Sequence, residues 1–266
     1  MIPPLLRAVI PPPVRAAIKR VLALPDEYRF HPARSVLEQR IAFRAAGRTL
    51  TVVADHALPL YDTIAEIVDF DAYQLAALPP LGEAPLIFDV GANIGVASLV
   101  LAQIPGARVV AFEPVPANAE RLRENLARNA VDNVEVVPKA MAAHDGTARF
   151  RVVADENVGG QIWDGRGPEA DLVTVETISL SSALEPYPGR ELALMKVDCE
   201  GGEYAIVQQL DAPLAARIRA LTFEVHDRGD QNLATLSERL RGLGYRLTLR
   251  RDLFGRRALH HLLATR

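Results

Sequence analysis

The sequence predicts a doubly wound α/β fold: a Rossmann-like, mostly parallel sheet with a C-terminal antiparallel hairpin, preceded by a mainly helical extension. Three observations carry this prediction. Near-continuous apolar runs such as Leu86–Val90 (LIFDV) and Leu192–Val197 (LALMKV) read as strands covered on both faces. Helical patterns alternate with them, as over 117–129, where Leu122 and Leu126 share one face. Small, turn-forming residues, Gly91, Asn93 and Gly95, follow the first of these strands, where such folds bind nucleotides.

Residues 1–80 read as an extension, biased to basic side chains by Arg7, Arg15, Lys19, Arg20, Arg34, Arg40, Arg44 and Arg48. Within it, Val14, Ala17, Ile18, Val21 and Leu22 fall at helical spacing with Arg15, Lys19 and Arg20 between them. Residues 14–24 therefore offer either peripheral contact with an anionic membrane surface or, as is commoner for short amphipathic helices, a side that docks on the main domain. Five prolines and the lack of a small-residue cleavage site argue against a signal peptide. A strand is expected at 49–54 and a helix at 61–68. The stretch LPPLGEAP at 78–85 marks a boundary, giving an N-terminal cap at 1–80 and a catalytic domain at 81–266.

Beyond the boundary, strands are expected at Leu86–Val90, 107–112, Val134–Val137, Leu192–Val197 and Ala220–His226, with helices at 94–103, 117–129, 203–210 and 232–243. An additional strand at 147–153 stands outside this alternation. Segments 245–249 and 258–264 close the sheet as a hairpin around LFGRR. Residues 155–171, glycine-rich, polar and holding Trp163, read as a long loop that bears on acceptor specificity.

Composition narrows the function. Of 266 residues, 49% are hydrophobic and 24% charged, with a net charge of −3, so no bulk basic field exists for nucleic acid. Cys199 is the one cysteine, which excludes an intrachain disulfide and suits a cytoplasmic location. No stretch approaches the ~20 apolar residues of a membrane span. The expected ligand is therefore a small molecule or a glycan.

The turn after the first strand reads Asp89-Val-Gly91-Ala92-Asn93-Ile-Gly95 and lacks the third glycine of a dinucleotide-binding loop. A carboxylate here would repel a pyrophosphate and attract a sulfonium and an ammonium. The second strand ends in AFEP, and Glu113 sits near the ~20-residue spacing at which an acid meets ribose hydroxyls. A ligand with a ribose, a positive charge and no phosphate satisfies both acids, and S-adenosylmethionine has those properties.

The ordered segments IFDVGANIGVAS, VVAFEPVPANAERLRENL, VEVVPKAMA, MKVDCEGGEYAIV and LTFEVH resemble the FkbM-type methyltransferase family over residues 55–250. The lead-in EIVDFDAY is similar as well. The departures are Cys199 and Gly202, where the family more often has an aliphatic residue and an alanine. The resemblance implies a class I, S-adenosylmethionine-dependent enzyme that O-methylates a hydroxyl on a sugar, glycan or small natural product. Candidate donor-binding residues are Asp89, Gly91, Ala92, Asn93, Gly95, Glu113, Pro114, Lys139, Ala140 and Asp198. A nicotinamide-dependent oxidoreductase and a non-catalytic S-adenosylmethionine-binding module are the competing classes.

Candidate catalytic residues lie at two strand ends. Asp198 and Glu200 follow the Leu192–Val197 strand, while Glu224 and His226 alternate onto one side of their own. Glu203 reads as a helix N-terminal acid favoured by the helix dipole, and Glu224 as a partner for Lys196. Either Asp198 or His226 takes the hydroxyl proton as a general base, or the cluster holds a divalent cation, Mg²⁺ or Mn²⁺ suiting oxygen-rich ligands. No metal signature of fixed spacing is present, which favours the base. His260 and His261, adjacent on a strand, point opposite ways and make no metal pair.

Overall fold

The computed structural model describes residues 27–31, 36–54, 57–152, 160–163, 172–251 and 259–266. The amphipathic segment at 14–24, most of 155–171 and the hairpin tip at 252–258 lie outside these residues. The main sheet holds β4 (Leu86–Val90), β5 (Arg108–Phe112), β6 (Val134–Val137), β11 (Leu192–Val197), β12 (Ala220–His226), β13 (Arg246–Arg251) and β14 (Leu259–Thr265). Its order is β13-β14-β12-β11-β4-β5-β6. The first five in sequence pair in parallel, and β14 runs antiparallel to both β12 and β13. Every residue of β4 and β11 is buried, which explains their apolar runs.

One face of the sheet carries α4 (Leu180–Leu184), α5 (Glu203–Gln209) and α7 (Leu233–Gly242) over Phe88, Phe112, Met195 and Phe223. The opposite face carries α2 (Val96–Leu101) and α3 (Pro116–Arg128), whose Leu99, Leu122 and Leu126 meet the N-terminal segment. α6 (Ala212–Ala216) leads into β12.

The N-terminal segment departs from its expected helical character. β1 (Glu27–His31), β2 (Val36–Ala45) and β3 (Arg48–Ala54) form an antiparallel sheet before α1 (Ala57–Ile64). Strict alternation drives β2: Ile41, Phe43 and Ala45 are buried, while Ala42 and Arg44 are exposed. The β2–β3 turn needs positive φ at Ala46 and Gly47 (47° and 80°), a primed two-residue hairpin without the usual Asn-Gly signal. Side chains of α3 seal the free edge of β3. Asn125 accepts from Val53 N (2.8 Å) and donates to Val53 O (3.2 Å), and Asn129 does the same for Thr51 (2.8 and 2.7 Å). Two amides four residues apart on a helix thus match alternate residues of a strand.

A second sheet, β7-β10-β8-β9, inserts between β6 and α4. It comprises β7 (Ala140–Met141), β8 (Gly146–Val152), β9 (Gly160–Ile162) and β10 (Leu172–Ile178). The expected extra strand is β8. Part of the expected long loop is instead β9, and Trp163 after it lies under the Arg149 guanidinium, 4.7 Å from the ring centroid.

Candidate active site

β4 and β11 are neighbours at which the strand order reverses, so their carboxyl ends open the crevice where this architecture binds ligands. Register places Asp89, Lys196 and Thr222 side by side across β4, β11 and β12. Lys196 is buried, with Nζ 3.1 Å from Asp89 Oδ1 and 3.5 Å from Asp198 Oδ2, and it donates to Gly91 O at 2.9 Å. Burial opposes its charge, but the two carboxylates outweigh burial and hold it as an ammonium. The expected partnership of Lys196 with Glu224 gives way to these two ion pairs.

Asp89 also accepts from Ser98 Oγ at 2.6 Å and has no exposed surface. The charge of Asp89, expected to attract a cationic ligand, is matched by Lys196 inside the sheet, because register aligns the two. Gly91, at φ 77°, is required by close approach of chain to chain, since a Cβ there would lie 1.8 Å from Asp198 O. A Cβ on Gly95 would strike Leu122 of α3 at 2.2 Å. The N–H groups of Gly91 and Ala92 both donate to Phe112 O, tying the turn to β5.

Glu113, at the end of β5, is buried and accepts from Asn93 N (2.8 Å) and Val115 N (3.0 Å). Burial pushes its carboxyl up to about 7 against the pull of those N–H groups. Pro114 follows it, half-buried. Lys139 and Ala140 come after β6; Ala140 is buried, and the Lys139 ammonium pairs with Glu176 of the second sheet at 2.9 Å.

Asp198, Glu200, Glu224 and His226 converge at the rim. His226 Nε2 lies 3.4 Å from Glu200 Oε2 and 3.7 Å from Glu224 Oε1. Ligating atoms of Asp198, Glu224 and His226 lie within 4.8 Å of one another. Glu203, expected chiefly as a helix-start acid, is a member of this group. Fully buried in the first turn of α5, it places Oε1 2.7 Å from His226 Nδ1 and so turns Nε2 toward the rim. Burial disfavours the imidazolium, but the hydrogen bond and charge of Glu203, with Glu200 and Asp198 beyond, raise its pKa to about 9. Tyr204 Oη fixes the same residue through the His226 carbonyl at 3.0 Å. His260 and His261 do diverge: His260 bonds Asp227 at 3.1 Å, and His261 is buried against the edge of Tyr73. Burial, with the nearby carboxylates of Glu203 and Asp198, pushes the Cys199 thiol well above its ordinary value, which disfavours its thiolate.

This crevice falls within residues 89–247, which match the model of the methyltransferase FkbM domain. The chain belongs to the FkbM methyltransferase family. It is 28% identical to the 31-O-demethyl-FK506 methyltransferase FkbM of Streptomyces tacrolimicus, over 68% of this chain and 80% of that protein. It is also 28% identical to part of the AMB antimetabolite synthetase AmbE of Pseudomonas aeruginosa, over 66% of this chain but a tenth of AmbE. Among solved structures, Aeropyrum pernix fibrillarin with bound S-adenosyl-L-methionine aligns with a TM-score of 0.47 and 14% identity, covering 91% of this chain and 86% of the other.

The FkbM-family chain is thus an S-adenosylmethionine-dependent methyltransferase. The donor set of the crevice suits that molecule. Asp198 and Glu200 are partly exposed carboxylates, with buried Glu224 behind them, and carboxylates complement a cation. Glu113, buried at the end of β5, is a carboxyl of the kind that accepts hydrogen bonds from ribose hydroxyls. Among the described residues no helix is long and apolar enough to cross a membrane.

Proposed function

We propose that this FkbM-family enzyme transfers a methyl group to a hydroxyl of a sugar, glycan or small natural product, with His226 as general base. The observation that carries this reading is the 2.7 Å pairing of buried Glu203 with His226 Nδ1. A carboxylate on one ring nitrogen fixes the tautomer, directs the other nitrogen outward and stabilises the imidazolium once it forms. S-adenosylmethionine, when bound, supplies an electrophilic methyl carbon on a sulfonium. The acceptor oxygen bonds to that carbon as its bond to sulfur breaks, and the hydroxyl proton passes to His226 Nε2. Glu113 holds the ribose hydroxyls, and the 91–95 turn, with Ala92, Asn93 and Pro114, borders the nucleoside. Lys139 and Ala140 border it from beyond β6. Asp198 meets the cationic end, and Glu200 and Glu224 face the acceptor.

The same acidic rim repels phosphate, which disfavours a nucleic-acid acceptor. The name of the Streptomyces relative, which specifies the 31-O position of FK506, supports oxygen as the acceptor atom. The test is incubation with methyl-labelled donor and a panel of sugars, glycolipids and polyketide-like alcohols, each beside its amine counterpart. Label should enter alcohols with release of S-adenosylhomocysteine. Label entering only the amines would overturn hydroxyl methylation. A chelator arm separates the base from a divalent cation held by Asp198, Glu224 and His226: a base-driven reaction is indifferent to chelation, whereas a metal-driven one stops and is restored by Mg²⁺.

A further inference from the structure

Tyr73, the last residue of the lead-in EIVDFDAY, lies upstream of residues 89–247, yet its hydroxyl reaches the Asp198 carboxylate in the crevice. Its hydroxyl donates to Asp198 Oδ2 at 2.6 Å. Its carbonyl accepts from Thr222 Oγ1 on β12 at 2.8 Å, and the Lys196 ammonium lies 5.3 Å from its ring centroid. The flanking backbone is equally committed. Asp71 and Gln74 both adopt positive φ (48° and 54°). The Asp71 carboxylate caps Leu75 N at 2.6 Å, its carbonyl accepts from Arg250 at 2.8 Å, and Gln74 donates to Thr248 O at 3.3 Å. The 71–75 turn is therefore clamped to β12 and β13, and it delivers a buried phenol to a carboxylate of the rim.

A buried tyrosine hydroxyl needs some acceptor, and a carbonyl would satisfy it. This one instead takes an acidic side chain that is about a quarter exposed, on the same oxygen that Lys196 approaches at 3.5 Å. The terminal torsion of an aspartate is otherwise soft. With Oδ2 held by a phenol at 2.6 Å and approached by an ammonium at 3.5 Å, this rotation is restricted. We propose that Tyr73 is a positioning residue that fixes the Asp198 carboxylate for the methyl donor, so that the segment before the family domain completes the donor site. This rests on the reading that Asp198 meets the donor.

The test is a double-mutant cycle read by calorimetric binding of S-adenosylhomocysteine to the full chain, with Tyr73→Phe, Asp198→Asn and the double variant. Loss of a hydrogen bond to a charged group predicts about tenfold weaker binding for Tyr73→Phe. If Tyr73 acts through Asp198, its removal in the Asp198→Asn background changes affinity by less than about twofold. Thr222→Val, which removes only the anchor on the Tyr73 carbonyl, should give a smaller loss of the same kind and covers the case in which Tyr73→Phe fails to fold. Wild-type affinity in Tyr73→Phe alongside weakened Asp198→Asn overturns the role of Tyr73 alone. An equal Tyr73→Phe loss in both backgrounds also overturns it, because the hydroxyl then acts elsewhere. Unchanged affinity in Asp198→Asn overturns the donor reading of Asp198 and this proposal with it.

Discussion

Glu113 shows how one buried acid beside the 91–95 turn bears on stability. Its folded-state pKa, about 7, stands above the ordinary 4.5. A raised carboxyl contributes its stability in full below the unfolded value and loses it as pH climbs through the folded one. The ligand-free protein should therefore weaken relative to Glu113→Gln by roughly 2–3 kcal/mol between about pH 5 and about pH 8. Urea unfolding at the two pH values measures this. Parallel losses in both proteins would show that Glu113 ionises freely. His226 is the opposite case, a base kept charged by Glu203 until pH nears 9. At pH 7 only about one molecule in a hundred then carries the neutral ring that can accept a proton.

Among the elements, the contact between α3 and β3 depends on single side chains. Asn125 satisfies both backbone groups of Val53 and also donates to Ile94 O at 2.9 Å, beside the glycine turn. Asn125→Ala leaves these groups buried without their partner and should cost about 1–3 kcal/mol in chemical denaturation. A loss under about 0.5 kcal/mol, the usual size of a neutral surface change, would mean that water replaces the amide at no cost. The helix pattern of α3 was legible from Leu122 and Leu126, but its two asparagines were not. Their partners, Thr51 and Val53, lie more than seventy residues away on a strand edge that only the fold brings near.

At the scale of the whole molecule, the apolar runs announced the parallel strands, because burial on both faces leaves little choice of residue. The placement of Glu113 beside the 91–95 turn was legible from spacing alone. The ion pair of Asp89 was not legible because it depends on register: Lys196 sits opposite it on β11, and no local pattern encodes that. Glu203 was visible as the last acid of the K-x-D-x-EG-x-E segment, but its bond to His226 spans two strand ends. β2 was missed because the basic bias of the extension masked its alternation of Ile41, Phe43 and Ala45. The central claim, that His226 takes the hydroxyl proton, is tested most directly by the pH dependence of kcat/KM for labelled methyl transfer in wild type and His226→Ala, with chelator present. Wild type should climb about tenfold per pH unit toward a plateau near 9. His226→Ala should lack this limb and lie roughly 10²–10⁴-fold lower, with chelator affecting neither protein. A His226→Ala enzyme that matches wild type in rate and pH profile, or a wild-type enzyme silenced by the chelator, would contradict the account.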